Sequence, residues 1–266
     1  MSGPASRLEE AAASSRLCVG IDPHAWLLER WGLPDSADGA REFGRRVVDA
    51  AVGVAAIVKP QVAFFERHGS AGYAALEAVL AAARDAGLFV IADAKRGDLG
   101  TSVDAYGEAW LTRGSPLEAD AMTVVAYQGV GSLDPVFARA DAAGKLLFVL
   151  TATSNPQAAL VQRAAADGGT VAGVIAAEVV RRGHGVVIGA TISLAESGLD
   201  PAGLTTPILA PGFGHQGARI DRLAELFGPA SDRVLVAASR SLLEAGPDGI
   251  ATAIADAARE AGSWPS

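Results

Sequence analysis

The sequence has very few of the residues that define several common protein classes. It contains one cysteine, two methionines and four histidines among 266 residues. One cysteine cannot form a disulfide within the chain, and the scattered histidines include no i, i+4 pair. A disulfide framework and a zinc site are therefore both disfavoured. No apolar run approaches the ~20 residues that a membrane-spanning helix needs.

Basic side chains are outnumbered as well. The chain has 22 lysines and arginines against 30 aspartates and glutamates, which gives a formal net charge of −8. This balance disfavours a nucleic-acid partner or a membrane surface, but it leaves room for a local basic site that binds an anionic small molecule. The polar start of the chain lacks the apolar core of a signal peptide. Together with the lone cysteine, these features predict a cytoplasmic protein.

The sequence does contain a regular alternation of short β-rich runs and Ala-rich helical patterns. The predicted strands are Leu17–Asp22, Ala55–Lys59, Leu88–Asp93, Ala121–Val125, Leu146–Thr151, Val186–Ala190, Ile208–Pro211 and Val234–Ala238. The predicted helices are Gly39–Val52, Gly72–Ala86, Val103–Thr112, Leu133–Ala143, Gln157–Arg182, Leu194–Leu199, Ile220–Leu226 and Gly249–Ala261. Such alternation is typical of parallel βαβ units.

Eight such units fit the length of one α/β domain. We therefore predict a single (β/α)8 TIM barrel over residues 1–266, with a short polar N-terminal segment of about 1–15 and no room for a second domain. An open, doubly wound sheet is the alternative.

The third predicted strand, Leu88–Asp93, ends abruptly in charge. Alternate residues of a strand share a face, so Asp93 and Lys95 should point the same way. Gly97 can then turn the chain and bring Asp98 back towards Lys95. Carboxylates on both sides favour a protonated lysine, which suits a proton donor better than a nucleophilic amine. A solvated surface ion pair is the simpler alternative.

Polar residues follow other predicted strands too. The first strand ends in Asp22, the second ends in Lys59, and Ser154 and Arg240 follow the fifth and the eighth. The active sites of TIM barrels lie at the C-terminal ends of the strands. These side chains are therefore predicted to converge there.

A glycine-rich stretch follows the seventh predicted strand. Gly212-x-Gly214-x-x-Gly217 matches a dinucleotide-binding pattern, but that pattern belongs after the first strand of a βαβ unit. In barrels, the loops after the last two strands frequently bind phosphate, and glycines let backbone N–H groups approach an anion. Arg240 could add a bidentate contact. Phosphate binding is the prediction here, with a structural turn and a surface arginine as the alternative.

Several of these segments together are similar to one known family. Asp93-x-Lys95-x-x-Asp98 resembles the signature of the orotidine 5'-phosphate decarboxylase superfamily, and the string Asp-Ala-Lys-Arg-Gly-Asp resembles the longer bacterial branch (type 2) of that decarboxylase family. Three later segments resemble its substrate-binding motifs: Thr153-Ser154-Asn155-Pro156, Pro211-Gly-Phe-Gly-His-Gln216-Gly and Ser239-Arg240-Ser241. These matches extend from the first predicted strand to the eighth.

The resemblance implies an activity and a set of roles. The activity is decarboxylation of orotidine 5'-monophosphate to uridine 5'-monophosphate and CO₂ in de novo pyrimidine biosynthesis, without a cofactor or a metal. Lys95 would stabilise and protonate C6, Asp93 and Asp98 would hold Lys95, and Lys59 would balance their charge. The residues implied to bind the substrate are Asp22, Ser102, Ser154, Gly214, Gln216 and Arg240, with Thr101 as an alternative to Ser102. A homodimer with a shared active site, into which Asp98 of one chain reaches, is implied as well.

Two other functions stay open at this point. Sugar-phosphate decarboxylases and aldolases of the same superfamily use Mg²⁺, which is held partly by an acidic residue where this chain has Lys59. A catalytically silent barrel that only binds a nucleotide or a protein is the second. The chain also departs from many family members at Leu99-Gly100, where they carry Ile-Pro.

Three remaining features are expected to have no catalytic role. Cys18 should be buried and inert, and the chain has no Gly-x-Ser-x-Gly elbow, so covalent hydrolase chemistry is disfavoured. His24 and His215 are expected to be exposed loop histidines, although their loops could bring them to a substrate. The Ala-rich stretch Gln157–Arg182 is expected to form helices that cover the barrel.

Overall fold

Eight parallel strands close into a barrel in the computed structural model, which describes residues 4–166 and 168–264. The barrel strands are β1 (Leu17–Ile21), β2 (Ile57–Pro60), β3 (Phe89–Arg96), β4 (Ala121–Val125), β5 (Leu146–Ala152), β8 (Gly185–Ile188), β9 (Ile208–Pro211) and β10 (Val234–Ala238). Each predicted strand corresponds to one of them. Because β1 pairs with both β2 and β10, the sheet has no free edge. The predicted TIM barrel is confirmed, and the open sheet is excluded.

Helices lie between most of the barrel strands, before the first strand and after the last. They are α1 (Pro4–Ala12), α2 (Ala25–Arg30), α3 (Ala37–Ala51), α4 (Val62–Glu66), α5 (Gly69–Asp85), α6 (Gly100–Leu111), α7 (Asp134–Ala143), α8 (Ala159–Gln162), α9 (Val171–Arg181), α10 (Leu223–Phe227), α11 (Arg240–Leu243) and α12 (Gly246–Ala261). None of the helices within the described ranges is long and apolar enough to cross a membrane.

Two helix predictions are wrong. The stretch Gln157–Arg182 is not one helical segment, because between α8 and α9 it forms a hairpin of β6 (Ala165–Ala166) and β7 (Gly169–Thr170). Its alanines favour a helix, but the Gly168-Gly169 pair interrupts the pattern and Gly168 has a φ of 83°. Residues 194–199 form turns rather than a helix, and a short 3₁₀ turn follows at Pro201–Gly203.

Alternation along the strands divides the core into two parts. Phe89 and Ile91 of β3 belong to the cluster inside the barrel, whereas Val90 and Ala92 pack outwards against the helices. This division matches the period of two predicted for the strand. Cys18 also lies inside the barrel, where it is fully buried, and burial raises the pKa of its thiol to about 12.

The amino-terminal end of the barrel is covered by α1. Leu8 and Ala12 of this helix belong to the interior cluster together with Trp264. The backbone N–H of Trp264 donates to the Ala12 carbonyl at 2.9 Å. The polar composition of the first residues gave no sign of this helix. The single domain over residues 1–266 stays a prediction, since residues 1–3, 167, 265 and 266 lie outside the described residues.

Candidate active site

A cavity of about 390 Å³ opens at the C-terminal ends of the barrel strands. Most of the predicted site residues line it, and they come from both halves of the chain. The polar side chains in its wall include Asp22, Lys59, Asp93, Lys95, Thr123, Gln216 and Arg240. The predicted convergence at this end of the barrel is therefore correct for all of these positions except Thr123, which was not predicted.

Three charged side chains form a continuous row in the cavity wall. Lys59, on β2, lies 3.1 Å from Oδ2 of Asp93, on β3. The other oxygen of Asp93, Oδ1, lies 2.7 Å from Nζ of Lys95. Asp93 and Lys59 are 8% and 7% exposed, while the Lys95 side chain is 43% exposed. Of the two ammonium groups, that of Lys95 is therefore the one open to the cavity.

The buried pair is held in its ionised form. Burial alone would raise the pKa of Asp93, but Lys59 and Lys95 together hold it well below its ordinary value. Burial alone would lower the pKa of Lys59, but the charges of Asp93 and Asp22 raise it instead. Such mutual stabilisation keeps both charges fixed where a reaction needs a preorganised field.

The end of β3 departs from regular strand geometry. Ala92 is paired with Met122 and Arg96 with Val124, so β3 advances four residues where β4 advances two. Lys95 has a φ of 48°, in the left-handed region. Thr123 fills this irregular part, and its hydroxyl contacts both Asp93 and the Lys95 backbone at 2.9 Å. Sequence reasoning missed Thr123, which stands inside the apolar run of β4.

Asp22 follows β1 and faces the same cavity. It is 8% exposed, and its Oδ2 accepts a hydrogen bond of 2.6 Å from Ser239. Its Oδ1 is buried without a partner. Gly20 makes the close approach of Ser239 possible, because a Cβ there would lie 2.6 Å from the Ser239 Cβ. A buried acceptor without a donor suits a hydroxyl group of a ligand.

The glycine-rich loop after β9 forms the opposite part of the wall. Gly214 has a φ of 75°, and a Cβ at this position would lie 2.5 Å from the Ser241 hydroxyl. The Ser154 hydroxyl donates to Oε1 of Gln216 at 2.9 Å, which brings together two predicted substrate-binding residues. Arg240, at the start of α11, supplies a positive charge beside this loop.

Both loop histidines take part in the wall as well. His24 is half-buried, and its ring centroid lies 4.1 Å from that of Phe64. Burial lowers the pKa of His24, which favours the neutral ring, although Asp22 opposes this effect. His215 is exposed and lies 3.6 Å from Glu244. The expectation of an exposed loop position is correct for His215 and wrong for His24.

Two predicted residues lie away from the cavity of their own chain. Asp98 forms no ion pair with Lys95, and its Oδ1 instead accepts from the Leu99 N–H at 2.8 Å. The expectation that Gly97 turns Asp98 back to Lys95 is therefore wrong within one chain. Ser102, like Thr101, is exposed on α6 and does not line the cavity. Residues 97–99 connect the end of β3 to the start of α6.

The donor set in the cavity does not fit a divalent cation. Within residues 4–166 and 168–264, no group of three or more histidine, cysteine, aspartate or glutamate side chains could hold a metal ion. Both oxygens of the Asp93 carboxylate are already paired with an ammonium group, Oδ2 with Lys59 and Oδ1 with Lys95. A fixed ammonium group at this distance would repel a metal at the same carboxylate.

The fold and the site together define a (β/α)8 barrel with a lysine–carboxylate centre beside a glycine-rich loop. Residues 15–253 match the family described as "Orotidine 5'-phosphate decarboxylase / HUMPS family". The chain is 49% identical to the orotidine 5'-phosphate decarboxylase of Salinispora arenicola over 91% of this chain and 90% of that protein. It is 44% identical to the same enzyme of Corynebacterium glutamicum, with 97% of this chain and 96% of that protein covered.

A solved structure agrees with these relatives. A Streptomyces avermitilis protein assigned as an orotidine 5'-phosphate decarboxylase superposes with a TM-score of 0.92 at 43% identity, over 98% of this chain and 95% of that one. The chain belongs to the orotidine 5'-phosphate decarboxylase / HUMPS family. The resemblance found in the sequence motifs is thereby confirmed.

Proposed function

We propose that this protein decarboxylates orotidine 5'-monophosphate to uridine 5'-monophosphate without a cofactor. One observation carries the proposal: the row Lys59–Asp93–Lys95 ends in an accessible ammonium group inside the cavity, beside the glycine-rich loop and Arg240. The relatives named orotidine 5'-phosphate decarboxylase cover nearly the whole chain. A carbon–carbon lyase of pyrimidine biosynthesis is the function that this combination supports.

The reaction needs a stabilised carbanion and a proton. The bond between C6 and the carboxylate breaks, CO₂ leaves, and the electron pair stays on C6. Lys95 is the group that lies closest to this charge in the proposal, and its Nζ transfers the proton that completes the product. Asp93 holds the Lys95 ammonium in place, and Lys59 helps to keep Asp93 ionised. Fixed charges of this kind need no reorganisation as the carbanion forms.

The rest of the cavity binds the parts of the substrate that do not react. The unpartnered Oδ1 of Asp22 accepts from a ribose hydroxyl. Ser154 and Gln216, already joined by a hydrogen bond, contact the pyrimidine and the phosphate. The backbone around Gly214 and the guanidinium of Arg240 hold the phosphate. Binding energy at the remote phosphate can then offset the cost of ordering the base over Lys95.

The decisive experiment is a direct assay. Purified protein with EDTA is mixed with orotidine 5'-monophosphate, and the ultraviolet absorbance of the substrate is followed beside a Lys95→Ala control. We expect a rapid absorbance loss with the wild type and a loss slower by at least about 10³-fold with the variant. The melting temperature of the variant shows whether the slower loss reflects unfolding, since Lys95 pairs with the buried Asp93.

A flat trace from folded wild-type protein would sink the proposal and direct attention to the two alternatives. Turnover of a sugar phosphate that appears only after Mg²⁺ is added would support the metal-dependent relatives. Tight binding of uridine 5'-monophosphate without any turnover would indicate a silent nucleotide-binding barrel.

A homodimer with a shared active site is also part of the proposal. The support is the position of Asp98, between β3 and α6, and of Ser102, in the first turn of α6, neither of which lines the cavity of its own chain. Asp98 and Ser102 would reach the cavity of the second copy. A cytoplasmic location, as expected from the sequence, belongs to the same proposal.

Mixed dimers test this arrangement. Lys95→Ala and Asp98→Ala chains are each expected to be inactive alone, since every site lacks one of the two residues. A heterodimer restores one complete site out of two, so an equal mixture should recover about a quarter of the wild-type activity. No recovery after mixing and re-equilibration would count against the shared site, while leaving the decarboxylase activity itself untouched.

A further inference from the structure

The bulge where β3 passes β4 holds a hydroxyl group that the proposed mechanism does not use. Between the pairs Ala92–Met122 and Arg96–Val124, β4 contributes only Thr123. A bulge of this kind re-aims side chains and leaves backbone groups without ladder partners. Thr123 is 1% exposed, and it lies against the extra residues of β3.

The Lys95 backbone is strained at this point. Among the described residues, Lys95 alone has a positive φ without being glycine, with a value of 48°. Side chains disfavour this conformation, so it persists only where the surroundings fix it. The Lys95 N–H donates to Oγ1 of Thr123 at 2.9 Å, which is a contact that can fix it.

The same hydroxyl also reaches the catalytic carboxylate. Thr123 donates its hydrogen to Oδ1 of Asp93 at 2.9 Å, and this oxygen is the one that pairs with Nζ of Lys95 at 2.7 Å. A hydroxyl can donate one hydrogen bond and accept another at the same time. One Thr123 oxygen therefore links the main chain of Lys95 to the carboxylate that holds the Lys95 side chain.

We propose that Thr123 is a positioning residue that fixes the bulged end of β3 so that the Lys95 ammonium points into the cavity. It acts through Lys95 and Asp93, and it transfers no proton itself. The inference rests on the proposed function, since it assumes that Lys95 is the proton donor of the reaction. The inference gives a functional role to β4, a strand from which no site residue was predicted.

Two substitutions separate the hydroxyl from the shape of the side chain. Thr123→Val keeps the shape and removes both hydrogen bonds, whereas Thr123→Ser keeps both bonds and removes a methyl group. We expect Thr123→Val to lower kcat by about 10–100-fold, because a displaced donor loses its attack geometry. The dissociation constant of uridine 5'-monophosphate should change little, since its phosphate site is remote. Thr123→Ser should retain kcat within about threefold.

Thr151 offers a matched control on the neighbouring strand β5. It is also 1% exposed, but its hydroxyl donates to the Val149 carbonyl of its own strand at 3.0 Å. Thr151→Val should leave kcat unchanged. Melting temperatures of the three variants show whether a loss of kcat reflects unfolding. Wild-type kcat in Thr123→Val, or equal losses in Thr123→Val and Thr123→Ser, would overturn the role of the hydroxyl.

A crystal structure of Thr123→Val keeps the inference testable without turnover. We expect Lys95 to leave the left-handed region and its Nζ to move away from Asp93. An unchanged Lys95 conformation would overturn the inference. If the wild-type protein proves inactive, the proposed function fails, but the structure of the variant still decides whether Thr123 fixes Lys95.

Discussion

Two lysine–carboxylate groups lie buried at opposite ends of the barrel, and the one at the C-terminal end faces the cavity described above. At the C-terminal end, Lys59 and Asp93 are 7% and 8% exposed. At the amino-terminal end, Lys145 and Asp120, which directly precede β5 and β4, are 6% and 7% exposed. All four side chains thus have little exposure to solvent, and the comparison concerns the charges that surround them.

At the amino-terminal end, the charged groups have partners on each side. Lys145 lies 2.8 Å from Glu118, and Asp120 accepts from the Val90 N–H and pairs with Arg7, both at 2.8 Å. At the C-terminal end, Lys95 and Asp22 line the cavity. The Lys95 side chain is partly exposed, and Oδ1 of Asp22 has no hydrogen-bond partner. Charge that is fully paired stabilises a fold, whereas charge with an open side can act on a ligand.

The pKa values of the two buried lysines shift in opposite directions. Burial is the largest influence on both and lowers both values. At Lys145 burial prevails over Glu118 and Asp120, and the pKa is lowered. At Lys59 the charges of Asp93 and Asp22 prevail, and the pKa is raised. Low solvent exposure alone therefore does not predict the direction of a pKa shift, because the number and closeness of the opposing charges contribute as well.

The largest expected difference between the two ends is in activity, when each buried lysine is replaced by methionine, which has a similar length and no charge. We expect Lys59→Met to lower kcat/KM for orotidine 5'-monophosphate by about 10³-fold, since Asp93 then loses the charge that keeps it ionised and fixed. Lys145→Met, at the other end, should leave kcat/KM unchanged when activity is referred to folded protein. A large activity loss in Lys145→Met would show that the two ends are coupled.

The sequence was sufficient for the residues that follow strands. Asp22, Lys59 and Arg240 interrupt or follow apolar runs, and barrel topology brings such positions together at one end. Gln216 was recognisable only through the resemblance of its loop to a motif of the family. The closed sheet and all eight strands were predictable for the same reason, because the alternation of strands and helices is local in the sequence.

Residues whose role depends on the register between strands could not be predicted. Thr123 stands inside an apolar strand, and only the irregular pairing of β3 with β4 brings it to Asp93. Asp98 was expected beside Lys95 because the intervening Gly97 permits a turn, but the chain continues into α6 instead. Lys145 and Asp120 are single charged residues before strands, where sequence alone suggests a solvated loop.

The amino-terminal lysine should matter for stability, although it should not matter for activity. Lys145→Met leaves Glu118 without its ammonium partner, and we expect the free energy of unfolding to fall by about 2–3 kcal/mol. Urea unfolding of the variant and the wild type measures this loss. A saturating concentration of uridine 5'-monophosphate should stabilise both proteins equally, because the ligand site is at the other end. Unequal stabilisation would contradict the separation of the two ends.

The two buried aspartates should give opposite pH dependence. Lys59 and Lys95 lower the pKa of Asp93 despite burial, so its stabilising contribution is present above the ordinary value of 3.8 and is lost as the pH falls below it. Burial raises the pKa of Asp120, so the folded protein binds more protons just above 3.8 and gains stability there as the pH falls.

Asn substitutions measure the two contributions separately. Urea unfolding between about pH 3 and pH 6 should show a shallower acid loss for Asp93→Asn than for the wild type, and a steeper one for Asp120→Asn. Each difference is limited to one proton, which corresponds to about 1.4 kcal/mol per pH unit. Shifts of the same sign in both variants would show that the local environments do not differ in this way.

The smallest expected effect concerns Arg7, which joins α1 to the amino-terminal cluster. Its side chain is 54% exposed and pairs with the buried Asp120 at 2.8 Å. An ion pair with one solvated partner contributes little, so Arg7→Ala should lower the free energy of unfolding by only about 0.5–1 kcal/mol. The loss should shrink further at high salt, and kcat should not change. A loss above about 2 kcal/mol would mean that Arg7, rather than the apolar face of α1, holds this helix against the barrel.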